Sequence, residues 1–232
     1  RGDYYCGNGS DNVTGRQFAE SHLDLCLNAG LSLTGINAEV MLGQWEYQVG
    51  GPDANPLVAC DHLILSRYLL HRVAERFGCW VSLDPKPMQG DWNGSGLHSN
   101  FSTAQMRSND GSGMSHIKSA CEALSENTEG HLEVYGDGLE RRLTGDHETA
   151  SFETFSYGVS DRGASVRIPW HVAKNGFGYI EDRRPNSNAD PYLVLNALVN
   201  TICSSDDAGG DSITLDEAKE LLAKQGKAIK DG

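Results

Sequence analysis

The chain has 232 residues, with 19 Lys and Arg against 32 Asp and Glu, a formal charge of −13. That balance excludes non-specific binding to nucleic acid or anionic membrane, which takes basic surface, and no run of 18 apolar residues offers a membrane-spanning helix. It does not exclude ATP, because a local arginine cluster or a bound metal can outweigh the net field. With 38% apolar residues a sizeable core is within reach, as one large domain or two small ones.

The chain opens on Arg1 rather than Met and shows no signal peptide, so it reads as starting inside a longer precursor or as missing an N-terminal part. In chain order, Thr14 to Ala29 reads as a helix: Phe18, His22, Leu25 and Ala29 recur at helical spacing and Gly30 ends it. Leu31 to Val49 is strand-like, two short strands around a Leu42-Gly43 turn. Asp61 to Phe77 is the clearest helix, with Ile64, Leu65, Tyr68, Leu69, Val73 and Phe77 as one stripe and Gly78 as its stop. Trp80 to Leu83 reads as a short strand, Gly90 to Gly96 as a polar loop, and Leu97 to Ser102 as a strand with His98, Asn100 and Ser102 on one face. Met114 to Leu124 is helical. Ser125 to Gly138 is charged and irregular, expected at the surface, and Leu143 to Thr149 is a loop. Ala164 to Pro169 and Phe177 to Asp182 read as strands, and Asp190-Pro191 opens another helix. Ser204 to Asp211 reads as a linker, followed by a last helix, Thr214 to Lys224, opened by a Thr214-x-x-Glu217 capping box. The order lacks regular βαβ alternation, so the expected class is α+β with a largely antiparallel sheet flanked by helices. Six scattered cysteines without a C-x-x-C pair read as buried free thiols of a reducing compartment.

Four groups of polar residues need an explanation. A reversal at Leu42-Gly43 sets Glu39 opposite Glu46, and like charges across a ladder destabilise it unless a cation lies between them. Trp92-Asn93-Gly94-Ser95-Gly96 allows close backbone approach to a ligand, and His98 follows on a strand where imidazole can hold metal or donate to phosphate. Arg141, Arg142, Arg162, Arg167, Arg183 and Arg184 pair either with phosphate and carboxylate ligands or with the chain's own acids. Glu181 and Arg183, two apart, share a strand face, where one can hold a cation and the other an anion. Together these groups point to phosphoryl transfer, a chemistry of positioning and charge neutralisation.

At these residues the chain resembles glutamine synthetase of the eukaryotic type (class II). The resemblance is carried by Tyr4-Tyr-Cys-Gly7, by the stretch Asn37 to Gly50, by Asp84-Pro-Lys-Pro87, and by Trp92 to Thr103. Arg141 to Thr149, Arg162 to Pro169 and Gly178 to Pro185 complete it, in the family's order over Tyr4 to Cys203. It implies ATP as co-substrate and Mg²⁺ or Mn²⁺, with Glu39 and Glu46 as ligands of one ion and His98 and Glu181 of the second. Arg162 and Arg167 resemble residues that hold the ATP phosphates and the transferring phosphoryl group. Arg142 and Arg183 resemble those that bind glutamate, and Asp91, Trp92, Asn93 and Gly94 match the glutamate loop. Glu148 resembles the flap carboxylate that deprotonates ammonium, so Glu148, Arg162 and Arg183 are the expected catalytic residues. Glu46, Gln48, Gly50, Gly51, Asn100, Ser102 and Tyr179 lie where the family contacts nucleotide.

The implied reaction joins ammonium and glutamate through γ-glutamyl phosphate, in a homo-oligomeric ring with active sites between subunits, in the cytoplasm or a plastid. Expected alternatives are a non-catalytic scaffold subunit of the same fold, or a ligase using another amine. The expected domains are a catalytic domain over 1–203 and a linker with helical tail over 204–232. The family's N-terminal β-grasp domain is not in this sequence. Asp91 replaces a usual Asn, Asp146 replaces a usual aromatic, and the stretch 125–138 is shortened.

Overall fold

The fold, obtained as a computed structural model, is described for residues 4–51 and 55–205. Helix α1 (Arg16–Asn28) leads into the hairpin β1 (Leu33–Ala38) and β2 (Trp45–Val49), and α2 (Pro56–Phe77) follows. After β3 (Ser99–Phe101) come α3 (Gly113–Glu126), α4 (Thr128–Leu132) and α5 (Leu139–Arg142). The remainder is β4 (Tyr157–Val159), β5 (Val166–Ile168), α6 (Trp170–Asn175), β6 (Ile180–Asp182) and α7 (Pro191–Ser205). The class is α+β, as expected.

Two hydrophobic clusters organise these elements. Cys26, Leu31 and Leu33, with Tyr47, Val49 and Leu69 against them, join α1, the hairpin and α2. The larger cluster packs α3 and α7 against a four-stranded sheet of order β3-β6-β5-β4. Its contributions follow helical and strand periods: Ile117, Ala120, Cys121 and Leu124 from α3, Val194, Leu198 and Ile202 from α7, and Val166, Ile168 and Ile180 from the sheet. Each such aliphatic side chain stabilises by about 1.5–3 kcal/mol on burial. The β3/β6 and β5/β6 pairs are antiparallel, but β4 runs parallel to β5.

The hairpin differs from expectation in register. The turn lies where expected, with Gln44 N–H donating to Met41 O at 2.9 Å and Gly43 at φ 83°. The ladder, however, pairs Asn37 with Glu46 and Ala38 with Trp45, and Glu39 N–H bonds Gln44 O. Glu39 is therefore diagonal to Glu46, not opposite it. Val40 and Met41 drop out of the ladder because side chains satisfy their amides: Glu39 Oε2 accepts from Val40 N–H and Gln44 Oε1 from Met41 N–H. A two-residue slip preserves the strand's side-chain parity, so both glutamates still share a face.

Helix α2 begins before Asp61 because Asn55 Oδ1 caps the amides of Leu57 and Val58 and Pro56 suits the first turn. Its buried side is Cys60, Ser66, Val73 and Ala74, whereas Ile64, Leu65, Tyr68 and Phe77 of the expected stripe are exposed. A buried polar contact fixes that choice, since Ser66 Oγ meets Tyr47 OH and His22 Nε2 meets Ser66 O.

Trp80 to Leu83 is not a strand: among the described residues none pairs with it, and Trp80 is exposed. The stretch 125–138 is not surface loop either. It contains α4 and buries His131 and Tyr135 beneath the sheet. The short α5, α6 and β4 went unread, being too brief to show a period. Of the cysteines, Cys26, Cys60 and Cys121 are buried as expected, while Cys6, Cys79 and Cys203 are exposed, and all six are free. Helix α7 runs through Ser205, into the expected linker, and the expected tail helix lies outside the described residues.

Candidate functional site

The site is built on the middle of the sheet. Glu181 of β6 has Asn100 of β3 as its partner on one side and Arg167 of β5 on the other. Cross-strand partners share a face, so Asn100, Glu181 and Arg167 form a row. Arg183, two residues on, joins it, donating Nη1–H to Glu181 Oε1 at 3.2 Å. Arg167 Nε touches Glu181 Oε2 as an ion pair, without hydrogen-bond alignment. His98 Nδ1 lies 3.4 Å from Glu181 Oε1. Burial pushes the Glu181 carboxyl up, but His98, Arg183 and Arg167 outweigh it and hold the pKa at about 2. Burial pushes His98 down against the pull of Glu181.

A loop closes over this row. Arg183 Nη2–H donates to Glu148 O at 3.2 Å, and Arg162 Nη1–H to Glu148 Oε2 at 3.2 Å. His147 and Glu148 both sit at positive φ, 55° and 60°, a conformation that costs non-glycine residues energy and gathers at functional loops. His147 Nδ1 lies 3.2 Å from Asp91 Oδ1, which ties the loop to the glycine-rich segment.

The hairpin supplies a second acidic pair. The Glu39 carboxyl is pushed up to about 7, first by burial and then by hydrogen bonding and charge from Glu46, with Asn93 opposing. Asn93 Nδ2–H donates to Glu39 Oε2 at 3.2 Å, while Asn93 Oδ1 is buried with no partner among the described residues. Gln48 Nε2–H donates to Glu46 Oε1 at 2.6 Å.

Between the glycine-rich segment and the loop at 144–149 lies a cavity of about 140 Å³ lined by Trp92, Asn93, Gly94, Arg142, His147 and Thr149. Gly94 has to be glycine: a Cβ there would stand 2.2 Å from Pro85 O and 2.4 Å from Arg142 Cγ. Arg142 is buried and fixed. Its Nε–H donates to Asn186 Oδ1 at 2.7 Å and its Nη2 reaches the carbonyls of Arg183, Arg184 and Pro185.

The family model described as "Glutamine synthetase, catalytic domain" matches residues 4–135. The chain is 58% identical over 204 residues to glutamine synthetase of Streptomyces hygroscopicus, covering 87% of this chain and 58% of that protein. It is 55% identical over 212 residues to that of Streptomyces viridochromogenes (90% and 60%) and 53% identical over 205 residues to that of Yarrowia lipolytica (88% and 55%). The chain belongs to the glutamine synthetase family. It spans little more than half the length of these relatives.

Family membership implies nucleotide and divalent metal, and the residues fit the metal unevenly. Glu39 and Glu46 fit well: a crowded carboxylate pair, with one proton held to about pH 7, is short of positive charge. His98 and Glu181 fit only if a cation takes the place of a guanidinium, since two arginines already neutralise the carboxylate. Among the described residues no three His, Cys, Asp or Glu side chains gather as a metal cluster, so each pair is a partial ligand set.

Of the other residues expected from glutamine synthetases, Asn100, Arg167 and Arg183 lie in or beside the sheet row and Glu148 and Arg162 join it through the loop, whereas the Tyr179 ring lies against His171, 5.5 Å between centroids, and packs on the core. Ser102 instead accepts from Arg107, through both O and Oγ. Gly50 is a buried turn residue at φ 87°, Gly51 is exposed beside it, and Gln48 faces Glu46. Sequence reasoning gave no role to Lys86 or Asn186. Lys86 is nearly buried, and its ammonium holds the carbonyls of Gly90 and Trp92, shaping the glycine-rich loop. The Pro-Lys-Pro motif was its only signal.

Proposed function

We propose that the full-length protein ligates ammonia to glutamate, using ATP, through γ-glutamyl phosphate. The carrying observation is the chain Arg167–Glu181–Arg183–Glu148–Arg162, in which Arg167 and Arg183 pair with the Glu181 carboxylate, Arg183 also reaches the Glu148 backbone carbonyl, and Arg162 pairs with the Glu148 carboxylate. An oxygen of the glutamate side chain attacks the γ-phosphorus of ATP and ADP leaves. Ammonia nitrogen then attacks the acyl carbon and phosphate leaves. Arg162 and Arg167 take up charge developing on the transferred phosphoryl group, for which planar forks are suited. Arg183 Nε, buried with no partner among the described residues, offers a donor to the γ-carboxylate, and Asn93 Oδ1 offers an acceptor to the α-ammonium. Glu148 receives the proton of ammonium, and its loop, tied down by Arg162, Arg183 and the His147–Asp91 contact, keeps water from the acyl phosphate. Bound Mg²⁺ or Mn²⁺, held through Glu39 and Glu46 and through His98 and Glu181, would neutralise the phosphates so that anion meets anion.

Arg142 keeps only part of its fork for the α-carboxylate, because Nε and Nη2 are committed to the 183–186 backbone turn and Asn186. It acts as much by fixing that turn as by touching substrate. Exposed Leu57, Leu65, Tyr68 and Trp80 support assembly with further copies of the chain, and six free thiols suit a reducing compartment, cytoplasmic or plastid. Among the described residues no helix is long and apolar enough to cross a membrane. Incubating the full-length protein with ATP, Mg²⁺, glutamate and ammonium should release phosphate and form glutamine. Absence of ammonium-dependent turnover would refute this function.

The raised Glu39 pKa gives the metal pair a pH signature. Below about pH 7 a cation must displace a proton from the pair. Mn²⁺ affinity there is expected to weaken about tenfold between pH 8 and pH 6, with up to one proton released per ion at the lower pH. Calorimetry in buffers of different ionisation enthalpy reads both. Glu39→Ala should weaken binding and abolish the proton release. An unchanged affinity in Glu39→Ala would show that the hairpin holds no metal.

A further inference from the structure

Behind the site, on the opposite face of β6, lies a buried polar chain that the proposed chemistry does not use. Asp182, flanked by Glu181 and Arg183, is wholly inaccessible and accepts from Arg184 through N–H, Nε–H and Nη2–H at 3.0, 2.9 and 2.6 Å. Tyr135 OH donates to Asp182 Oδ2 at 2.7 Å. The Arg184 guanidinium is sandwiched between the Tyr135 and Phe155 rings, 5.2 and 5.0 Å from their centroids. Tyr135 OH then meets His131 Nδ1 at 2.5 Å, and His131 Nε2 meets Thr201 Oγ1 at 2.7 Å.

Counting protons orders this chain. An ionised carboxylate only accepts, so the one phenolic proton goes to Asp182. The phenolic oxygen must then accept, which places a proton on His131 Nδ1. Burial pushes His131 down to about 4, so the ring is neutral near pH 7 and Nε2 is bare. Thr201 Oγ1 supplies the proton to Nε2. The direction is thus Thr201 to His131 to Tyr135 to Asp182, from α7 through α4 to the sheet.

We infer that His131, as its Nδ1–H tautomer, and Tyr135 are positioning residues that brace β6 from behind and so hold Glu181 and Arg183 in register with Arg167 and Asn100. Neither touches the site. Tyr135 O also accepts from Asn186 N–H at 2.8 Å, and Asn186 holds Arg142, so the brace reaches the 183–186 turn as well. Alternation along the strand makes the coupling direct, because residues 181 and 183 cannot turn without turning 182.

The bracing consequence for turnover rests on the proposed function, but the tautomer does not. In ¹⁵N-histidine-labelled full-length protein near pH 7, His131 should show a protonated Nδ1 and a bare Nε2. A protonated Nε2 would overturn the chain whatever the activity. In turnover, Tyr135→Phe, which removes only the hydroxyl, should lower kcat about tenfold with little change in KM for ATP. His131→Asn, whose amide can put an N–H near the Nδ1 position, should keep kcat within about threefold of the parent, whereas His131→Leu should fall as far as Tyr135→Phe. If Tyr135→Phe keeps the parent kcat, or if Asn and Leu at position 131 behave alike, the bracing role is wrong. If the parent shows no turnover, the functional reading fails, and the tautomer together with Mn²⁺ affinity in Tyr135→Phe, expected to weaken several-fold, still decides the brace.

Discussion

Arg184→Met is expected to destabilise the fold by about 3–5 kcal/mol, the cost of leaving a buried charge without its partner. Asp182 is wholly inaccessible and Arg184 nearly so, and three hydrogen bonds join them. Burial alone would raise the Asp182 pKa, yet Arg184 and Tyr135 hold it below the ordinary carboxylate value. Once the guanidinium is gone, only Tyr135 OH and the Arg184-position backbone amide remain as donors, too little for a carboxylate in apolar surroundings. The carboxyl then takes up a proton on folding, so the variant should regain stability as pH falls toward 5. Urea unfolding at pH 7.5 and pH 5.5 reads both the loss and its pH dependence. The double variant Asp182→Leu with Arg184→Met should be more stable than Arg184→Met alone, because it removes the orphaned charge and leaves unpaired only two neutral donors, the Tyr135 hydroxyl and the backbone amide of position 184. If Arg184→Met loses less than about 1 kcal/mol, the pair does not hold the strand.

What the sequence disclosed depended on the range of the interaction that decides each feature. Glu181 and Arg183 were legible as a pair because a strand's period of two is local. The same logic held for α3, whose apolar residues recur over three turns. The hairpin was legible as a hairpin, but not in register: whether Val40 and Met41 join the ladder depends on which side chain accepts their amides, and Glu39 and Gln44 win that competition. The face of α2 was misread because its apolar residues run almost all the way round, so composition could not choose. The choice came from small residues, Cys60, Ser66 and Ala74, that admit neighbours distant in sequence. His131 and Tyr135 sat in a stretch that looked like charged surface, since their partners, Thr201 and Asp182, lie 70 and 47 residues away. The identities of the site residues entered through family resemblance. Composition and spacing alone left arginine–phosphate and arginine–carboxylate pairing undecided, and in the structure Arg141, Arg162, Arg167, Arg183 and Arg184 pair with the chain's own acids while Arg142 bonds Asn186 and backbone carbonyls.

That internal pairing underlies the second large effect. Arg183→Lys should lower kcat by about 10²–10³-fold in the full-length protein while leaving the fold intact. The charge is kept, so Glu181 retains a cationic neighbour beside Arg167 and His98, and the stability change should be small. What is lost is the fork. One guanidinium bonds Glu181 Oε1 and Glu148 O at once, each at 3.2 Å, and its buried Nε has no partner among the described residues. A lysine ammonium is a single point of charge on a flexible stem and cannot bridge sheet and loop while offering a further donor to substrate. Two consequences separate this from a general loss of charge. KM for glutamate should rise with the fall in kcat, since the unpartnered donor would meet the γ-carboxylate, whereas KM for ATP should change little because Arg162 and Arg167 remain. The loop around Glu148, losing one of its two arginine ties, should also become a faster target for limited proteolysis, and added ATP with glutamate should protect it less than in the parent. A variant that keeps kcat within tenfold of the parent would place the transferring group elsewhere and return Arg183 to a purely structural partner of Glu181.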